Sequence, residues 1–452
     1  MLAAGCAWQP PVTDFAVPPP AVAAAAARFP QPEAPFTEPA EDAFHAQPHA
    51  AELQATPPGT VMRYRPIAPE AYYFFGVNAR AWQVVYRSND TNGQPQASVA
   101  TLLVPDDPAP RLLSYQVAYD ALTRRCAPSY EILSGSMVEH MLMDKALRRG
   151  WIVVLPDYEG PQTQFLAGRN SGQGVLDGIR AARAFLPAAW VDDDTPVALW
   201  GYSGGAFASL WAAEIAADYA PEIPIVGVAA GGPPADLASS AEHIDGGLFA
   251  GLYFAAVVGL SRAYDTIDTQ ALLNADGREM FDDVSDSCVG QELAWVKDPL
   301  LSGYAFDDMR DYTTVDNLLT VPAIQQVIAE NRLGQRGFDA PLYYYHAFFD
   351  ELPGLRLETK ALGVGGREFR VWLRRAGDEA ALAEARAPYA VGTPPRADTI
   401  LAMHYGHDAA LAVVTGGEVE AVIELERLPG GRRYEDGWSV VERYTGLAGV
   451  EA

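Results

Sequence analysis

The 452-residue chain is poor in cysteine, in cationic side chains and in long apolar runs. Its three cysteines, Cys6, Cys126 and Cys288, allow one disulfide with one thiol left over. Lys and Arg number 32 against 58 Asp and Glu, a net charge of −26. A field of that sign repels phosphate backbones and anionic lipid surfaces, so nucleic acid is excluded as an expected partner. No window approaches about 18 uninterrupted apolar residues, so no transmembrane helix is expected.

What is present is apolar mass: 49% of the residues are hydrophobic, enough for one large domain with insertions. Residues 1–51 are rich in Ala and Pro without a period of 2 or 3.6, and read as a disordered or extended tail. Its start, Met1-Leu2-Ala3-Ala4-Gly5-Cys6, is similar to the cleavage end of a bacterial lipoprotein signal, but the basic and apolar regions that precede such a site are absent. Lipid attachment at Cys6 is expected only if the true start lies upstream; otherwise the cluster is chance.

Beyond Pro57-Pro58-Gly59, strand and helix signals alternate. Trp82–Arg87 and Ser98–Val104 read as successive strands joined by an Asn92-Gly93 turn, and Leu112–Ala118 as another. Val138–Arg149 has helical apolar spacing and ends at Gly150. Trp151–Leu155, Val197–Trp200 and Ile225–Ala230 read as buried strands; Gly172–Leu186 and Gly204–Tyr219 read as helices. Such alternation predicts a doubly wound, mostly parallel sheet with helices on both faces. Residues 52–235 form the first part of this core. Residues 236–330 break the rhythm with acidic turns and short apolar helices, and are expected to be an inserted, mainly helical cap or lid. Residues 331–398 resume the core with Leu342–His346 and Glu368–Leu373. Residues 399–452 are a segment of uncertain origin.

The strongest motif is Gly201-Tyr202-Ser203-Gly204-Gly205, which fits the G-x-S-x-G nucleophile elbow of the α/β-hydrolase fold, with a strand before it and a helix after it. The sharp turn leaves no room for side chains at 201 and 205 and projects the Ser203 hydroxyl above the sheet. The positive end of the following helix points at it, and the Gly204 amide is placed to donate to an oxyanion. An ordinary serine in a Gly-rich turn is the bland alternative, and the strand–turn–helix setting weighs against it.

Several stretches together resemble the secretory lipase family of fungi and actinobacteria, from about residue 57 to about 355. They are Pro57-Pro58-Gly59-Thr60-Val61, Ser114-Tyr115-Gln116-Val117-Ala118-Tyr119-Asp120, Cys126-Ala127-Pro128-Ser129-Tyr130, Leu155-Pro156-Asp157-Tyr158-Glu159-Gly160 and the elbow itself. The resemblance implies a serine esterase or lipase that needs no cofactor or metal, acts on lipid or other ester substrates, and is secreted or held in the cell envelope. It implies only transient contact with a lipid interface and no stable protein partner. It also implies an oxyanion-hole role for Asp120, whose carboxyl must be protonated, or must act through its amide, to help an oxyanion; a strand-ending turn residue is the alternative. Finally it implies a Cys126–Cys288 bridge between cap and core, which suits an oxidising compartment.

A catalytic acid and histidine should come after the serine in that order. Asp350, in Phe349-Asp350-Glu351-Leu352-Pro353 after the strand Leu342–His346, is preferred over Glu351. The family places its histidine after the next strand, but Arg374-Arg375-Ala376-Gly377-Asp378-Glu379 holds none. Only His404 and His407 lie downstream of Asp350; His45, His49, His140, His243 and His346 precede it. His407 is preferred because Gly406 gives it a mobile turn, with His404 as the alternative and a structural hairpin histidine as the bland reading. Residues 399–427 also resemble the amino-terminal hairpin of O-carbamoyltransferases, although the stretch is far too short for that domain. A fusion or chimeric origin of this segment would leave the hydrolase without its base. Apolar stretches such as Leu248–Leu260 line an acyl pocket or pack within the cap. Set against the esterase are a catalytically impaired hydrolase-fold binding protein, an acyltransferase or peptidase using the same serine, and a carbamoyltransferase.

Overall fold

The computed structural model describes residues 26–70, 77–137, 139–288 and 303–345, together with the backbone of five short strands between 362 and 424. Nine strands form one sheet: β1 (Ala27–Arg28), β2 (Val61–Ile67), β3 (Arg80–Asn89), β4 (Pro95–Val104), β5 (Leu112–Gln116), β6 (Ile152–Pro156), β7 (Val197–Tyr202), β8 (Ile225–Gly231) and β9 (Leu342–Tyr345). Their order is β1-β2-β3-β4-β6-β5-β7-β8-β9. β2, β3 and β4 make an antiparallel meander, β4 pairs antiparallel with β6, and the pairs from β6 to β9 are parallel. The strands read from the sequence between residues 82 and 346 each overlap one of these, with ends that differ by at most three residues.

Apolar runs without alternation explain the parallel half. Ile152–Pro156 and Leu112–Gln116 are buried throughout, as strands covered on both faces must be. Helices α1 (His140–Leu147), α2 (Gly168–Phe185) and α3 (Gly204–Tyr219) supply the cover. In α2, Val175, Ile179 and Leu176 are fully buried, while α3 closes on the sheet through Ala206, Ala208 and Ala212. Strand order reverses around β5, since β6 lies on one side of it and β7 on the other. Ligands bind outside the carboxyl ends of strands at such a switch point.

Residues 236–330 contain α4 (Leu237–Ile244), α5 (Ala250–Ala263), α6 (Ala275–Val284) and α7 (Pro322–Glu330). These helices bury a second apolar cluster, separate from the sheet's core, that includes Phe254, Val258, Met280 and Val284. Leu122, Phe165 and Phe207 join it from the core side. Several ties hold the halves together, a disulfide and an arginine among them. Cys126 and Cys288 form a disulfide. Arg262, on α5, donates to the Leu122 carbonyl at 2.8 Å and to the Thr163 hydroxyl at 2.5 Å.

Two expectations are corrected. Residues 26–51 are not a disordered tail: β1 pairs parallel with β2, Phe44 is completely buried, and Asp42 bonds Arg65 at 2.6 Å. Arg65 also lies over the Phe44 ring, 4.1 Å from its centroid, and burial beside it pushes His45 down to about 3, keeping the imidazole neutral. Single apolar anchors such as Phe44 and Leu53, filling a pocket against Val85, Ala97 and Val99, leave no periodic trace. The remaining tail, with Cys6, lies outside the described residues. Nor is Glu368–Leu373 a core strand: Arg367–Phe369 pairs antiparallel with Leu362–Val364 in a separate two-stranded sheet. Between them the sequence reads Gly365-Gly366, a dipeptide that as sequence signals a two-residue hairpin. Residues 370–373 lie outside the described residues. Thr399–His404, Ala410–Thr415 and Glu418–Glu424 form a three-stranded antiparallel sheet.

The disulfide closes a span of 162 residues. Replacing both Cys126 and Cys288 by Ser should lower unfolding stability by about 2–5 kcal/mol. Urea titrations should also show reductant destabilising the native chain and leaving the double variant unaffected.

Candidate active site

Three loops converge at the carboxyl ends of adjacent strands. Gln116, at the end of β5, is level with Gly201 of β7, and Tyr202 is level with Gly231 of β8. Just past these ends come Asp120, Ser203 and Gly232, and all three line one pocket.

Ser203 has φ 51° and ψ −122°, a conformation that L residues rarely adopt, at the entry to α3. Such a residue costs about 1–3 kcal/mol and persists only where its surroundings over-determine it. Here they do. Ser203 N donates to the Gly231 carbonyl at 2.7 Å, and its own carbonyl accepts from Phe207 N at 3.0 Å. A Cβ on Gly201 would lie 2.3 Å from the Gly205 backbone, and one on Gly205 would lie 2.0 Å from the Gln116 carbonyl. Helix, turn and two strands therefore meet backbone to backbone, and the serine side chain has one direction left, upward into the pocket. The Gly204 amide, in the first turn of α3, has no partner within the helix.

Asp120 closes the opposite side. It too has a positive φ, 35°, and its carboxyl lies so close to Gly204 that a Cβ there would meet Oδ1 at 1.8 Å. That Oδ1 is buried without a hydrogen-bond partner. Burial pushes the carboxyl up to about 7, against the opposing effects of the Ser203 hydroxyl and its own backbone. In its protonated form Asp120 is a hydrogen-bond donor beside the Gly204 amide.

Asp120 is joined by other buried acids, Glu139, Asp157 and Glu159, for which the sequence assigns no role. Glu139 accepts from the Tyr115 hydroxyl at 2.6 Å and is pushed by burial to about 7. Asp157 accepts from the Ser129 hydroxyl at 2.6 Å and is pushed likewise to about 7. Glu159 is raised well above the ordinary carboxylate range, by burial first and then by Asp120, against a lowering effect of the Ala121 backbone.

The pocket above Ser203 holds about 900 Å³ including its open mouth. Apart from Asp120, Ser203 and Ser240 its walls are almost wholly apolar. Helix α5 supplies Leu252, Tyr253, Ala256, Val257 and Leu260, a helical stripe. Phe254 turns the other way, against the Tyr304 and Tyr312 rings at 5.2 and 4.9 Å. From Leu252 to Leu260 the stretch thus lines the pocket with one face and packs the cap with the other, while Leu248 is exposed. Among the described residues no cluster of His, Cys, Asp or Glu is arranged to hold a metal. Asp350, Glu351 and His407 lie outside the described residues; His404 closes the strand Thr399–His404, and its side chain lies outside them.

A family model described as "Secretory lipase" matches residues 132–361. Lipase A of Arthroderma benhamiae is 34% identical over 344 residues, spanning 72% of this chain and 71% of that protein. A Mycobacterium tuberculosis protein named "Probable inactive lipase MT1628" is 33% identical over 331 residues, 70% of this chain and 71% of its own length. The X-ray structure of Candida antarctica lipase A superposes with a TM-score of 0.65 at 30% identity, covering 72% of this chain and 77% of that one. The family match ends before residues 399–427, whose resemblance to O-carbamoyltransferases gains no support.

Raised carboxyl pKa values set a pH dependence for stability. Asp120, Glu139 and Asp157 keep protons up to about pH 7 when folded and release them near 4 when unfolded. Their contribution is fully present below about pH 4 and is lost as pH rises through about 7. The melting temperature should fall between pH 5 and pH 8, and Glu139→Gln should flatten that slope. With its buried elbow, its apolar pocket and its relatives, the chain belongs to the secretory lipase family and has the α/β-hydrolase fold.

Proposed function

We propose that this protein is a secreted serine esterase that hydrolyses carboxylic esters with long apolar acyl chains, of the triacylglycerol type, through an acyl-enzyme. The observation that carries the reading is the Ser203 elbow opening into an apolar pocket. Ser203 Oγ attacks the acyl carbon and passes its proton to the imidazole of His407, with His404 as the alternative base. The tetrahedral oxyanion is held by the Gly204 amide and by Asp120 in its protonated form. The intermediate expels the alcohol, which takes the proton from the imidazolium. Water then attacks the acyl-serine, giving its proton to the same imidazole, and the acid leaves as Ser203 is reprotonated. Asp350, preferred over Glu351, orients the imidazole and stabilises its cation. Every group is a protein side chain or amide, so the scheme uses no cofactor.

A second reading, a hydrolase-fold protein that binds acyl ligands without turnover, draws on the relative named as a probable inactive lipase and on the histidine-free stretch Arg374–Glu379.

Labelling by a fluorophosphonate probe and turnover of p-nitrophenyl esters separate the two. The esterase reading expects labelling that Ser203→Ala abolishes, and a loss of about 10⁴–10⁶ in kcat for Ser203→Ala. His407→Ala should match that loss if His407 is the base, and His404→Ala if the alternative holds. Full turnover in both histidine variants would sink the triad; an unlabelled wild-type chain would favour the binding protein.

A further inference from the structure

The turn that carries Asp120 is held by the core at one end and by the cap at the other. At the core end the Tyr158 hydroxyl donates to the Val117 carbonyl at 2.7 Å, and the Ala118 amide donates to Glu139 Oε1 at 3.4 Å. At the far end both main-chain groups of Leu122 go to the cap. Its amide donates to the Ser287 carbonyl at 2.9 Å, and its carbonyl accepts from Arg262 Nη1 at 2.8 Å. Asp120 stands between these anchors at a φ of 35°, a conformation that relaxes once its surroundings stop imposing it.

Arg262 differs from Ser287 in what else its element does. It lies in the last turn of α5, the helix that lines the pocket along one face from Leu252 to Leu260. Its guanidinium also donates to the Ser285 carbonyl at 2.7 Å, within the cap, and to the Thr163 hydroxyl at 2.5 Å, in the core. Thr163 and Leu166 have positive φ as well, 47° and 61°, and Phe165 and Leu166 line the pocket. Helix α5 packs tightly on this second loop: a Cβ on Gly259 would lie 2.7 Å from the Phe165 carbonyl oxygen. One planar, pre-organised fork thus joins the helix beside the acyl site to two strained loops that line the same pocket.

We propose that Arg262 is a positioning residue that couples the acyl pocket to the oxyanion site: a chain seated against α5 fixes, through the Leu122 carbonyl, the turn that presents Asp120. Acyl-chain length then acts on kcat and not only on KM. The proposal rests on the esterase reading for its chemistry, but the coupling itself needs only a bound chain. Misplacing a group by about 1 Å at a reacting centre costs on the order of 100-fold in rate, so a small shift of the turn is enough to register in kcat.

Two measurements on the full-length chain test this: kinetics with p-nitrophenyl octanoate and acetate, and hydrogen–deuterium exchange over residues 118–122 with and without octanamide, an uncharged eight-carbon ligand. In the wild-type chain kcat for the octanoate should exceed that for the acetate by about tenfold, and octanamide should slow exchange over 118–122. Arg262→Met keeps an apolar stem and loses the fork. It should bring the two kcat values to within about twofold of each other, leave KM for the octanoate within about twofold, and abolish the protection by octanamide. Arg262→Lys, with one ammonium in place of the fork, should fall between, and it carries the test alone if Arg262→Met does not fold. An octanoate-to-acetate kcat ratio that is the same in wild type and variants would overturn the proposal. So would a loss shared equally by the two esters, which is what a purely structural arginine gives. Turnover and fluorophosphonate labelling without Arg262-dependent protection would leave the esterase reading standing alone. Arg262-dependent protection in a chain that neither turns over ester nor labels would refute the esterase reading and leave the coupling standing.

Discussion

Everything at the site depends on one steric constraint: the backbone crossing at Gly201, Gly205 and Gln116. No Cβ fits at either glycine, so β5, β7 and the first turn of α3 come together as bare backbone. That contact holds Ser203 at a φ of 51°, which an isolated chain would relax. Strain held this way is paid by the sheet around it, through the Ser203 N bond to Gly231 and the burial of α3 against the strands. The elbow is therefore a property of the fold, and the serine's direction is set by the absence of any other.

A second consequence is electrostatic. The fold that makes the pocket dry also desolvates Asp120, Glu139, Asp157 and Glu159. Burial is the leading cause of the raised pKa at each. An ionised Asp120 next to the Gly204 amide would oppose any developing negative charge, whereas a protonated one would donate to it. Desolvation thus decides the sign of its effect, and it also strengthens each remaining hydrogen bond by lowering the local dielectric.

How legible these features are in the sequence depends on how local each cause is. The elbow is dictated within five residues by steric rules, and helix α3 is readable over Gly204–Tyr219, its full extent. Buried parallel strands are readable from uninterrupted apolar runs. The Cys126–Cys288 bridge is legible only through family resemblance, because sequence spacing carries no information about which thiols meet. Phe44 and Arg65 hold residues 26–51 through contacts made once, with no period to detect. Gly365-Gly366 is a local signal, and reading Glu368–Leu373 as a core strand passes over it. Burial of Glu139 and Glu159 is wholly tertiary: nothing in Val138-Glu139-His140 separates a surface acid from a buried one.

The division of labour between sheet and cap bears on how binding energy would be used under the esterase reading. The sheet supplies a fixed serine and its oxyanion donors; the cap supplies apolar area and almost no polar contact beyond Ser240. Apolar walls bind an acyl chain about equally in ground state and transition state, so by themselves they lower KM without raising kcat. They accelerate chemistry only if seating the chain fixes the carbonyl against the Gly204 amide, and this requires the cap to be rigid relative to the elbow. The disulfide and the Arg262 bonds to Leu122 and Thr163 lie where such rigidity is needed, across the joint between the two apolar clusters. Acyl-chain discrimination is then a mechanical property of that joint as much as of the pocket wall.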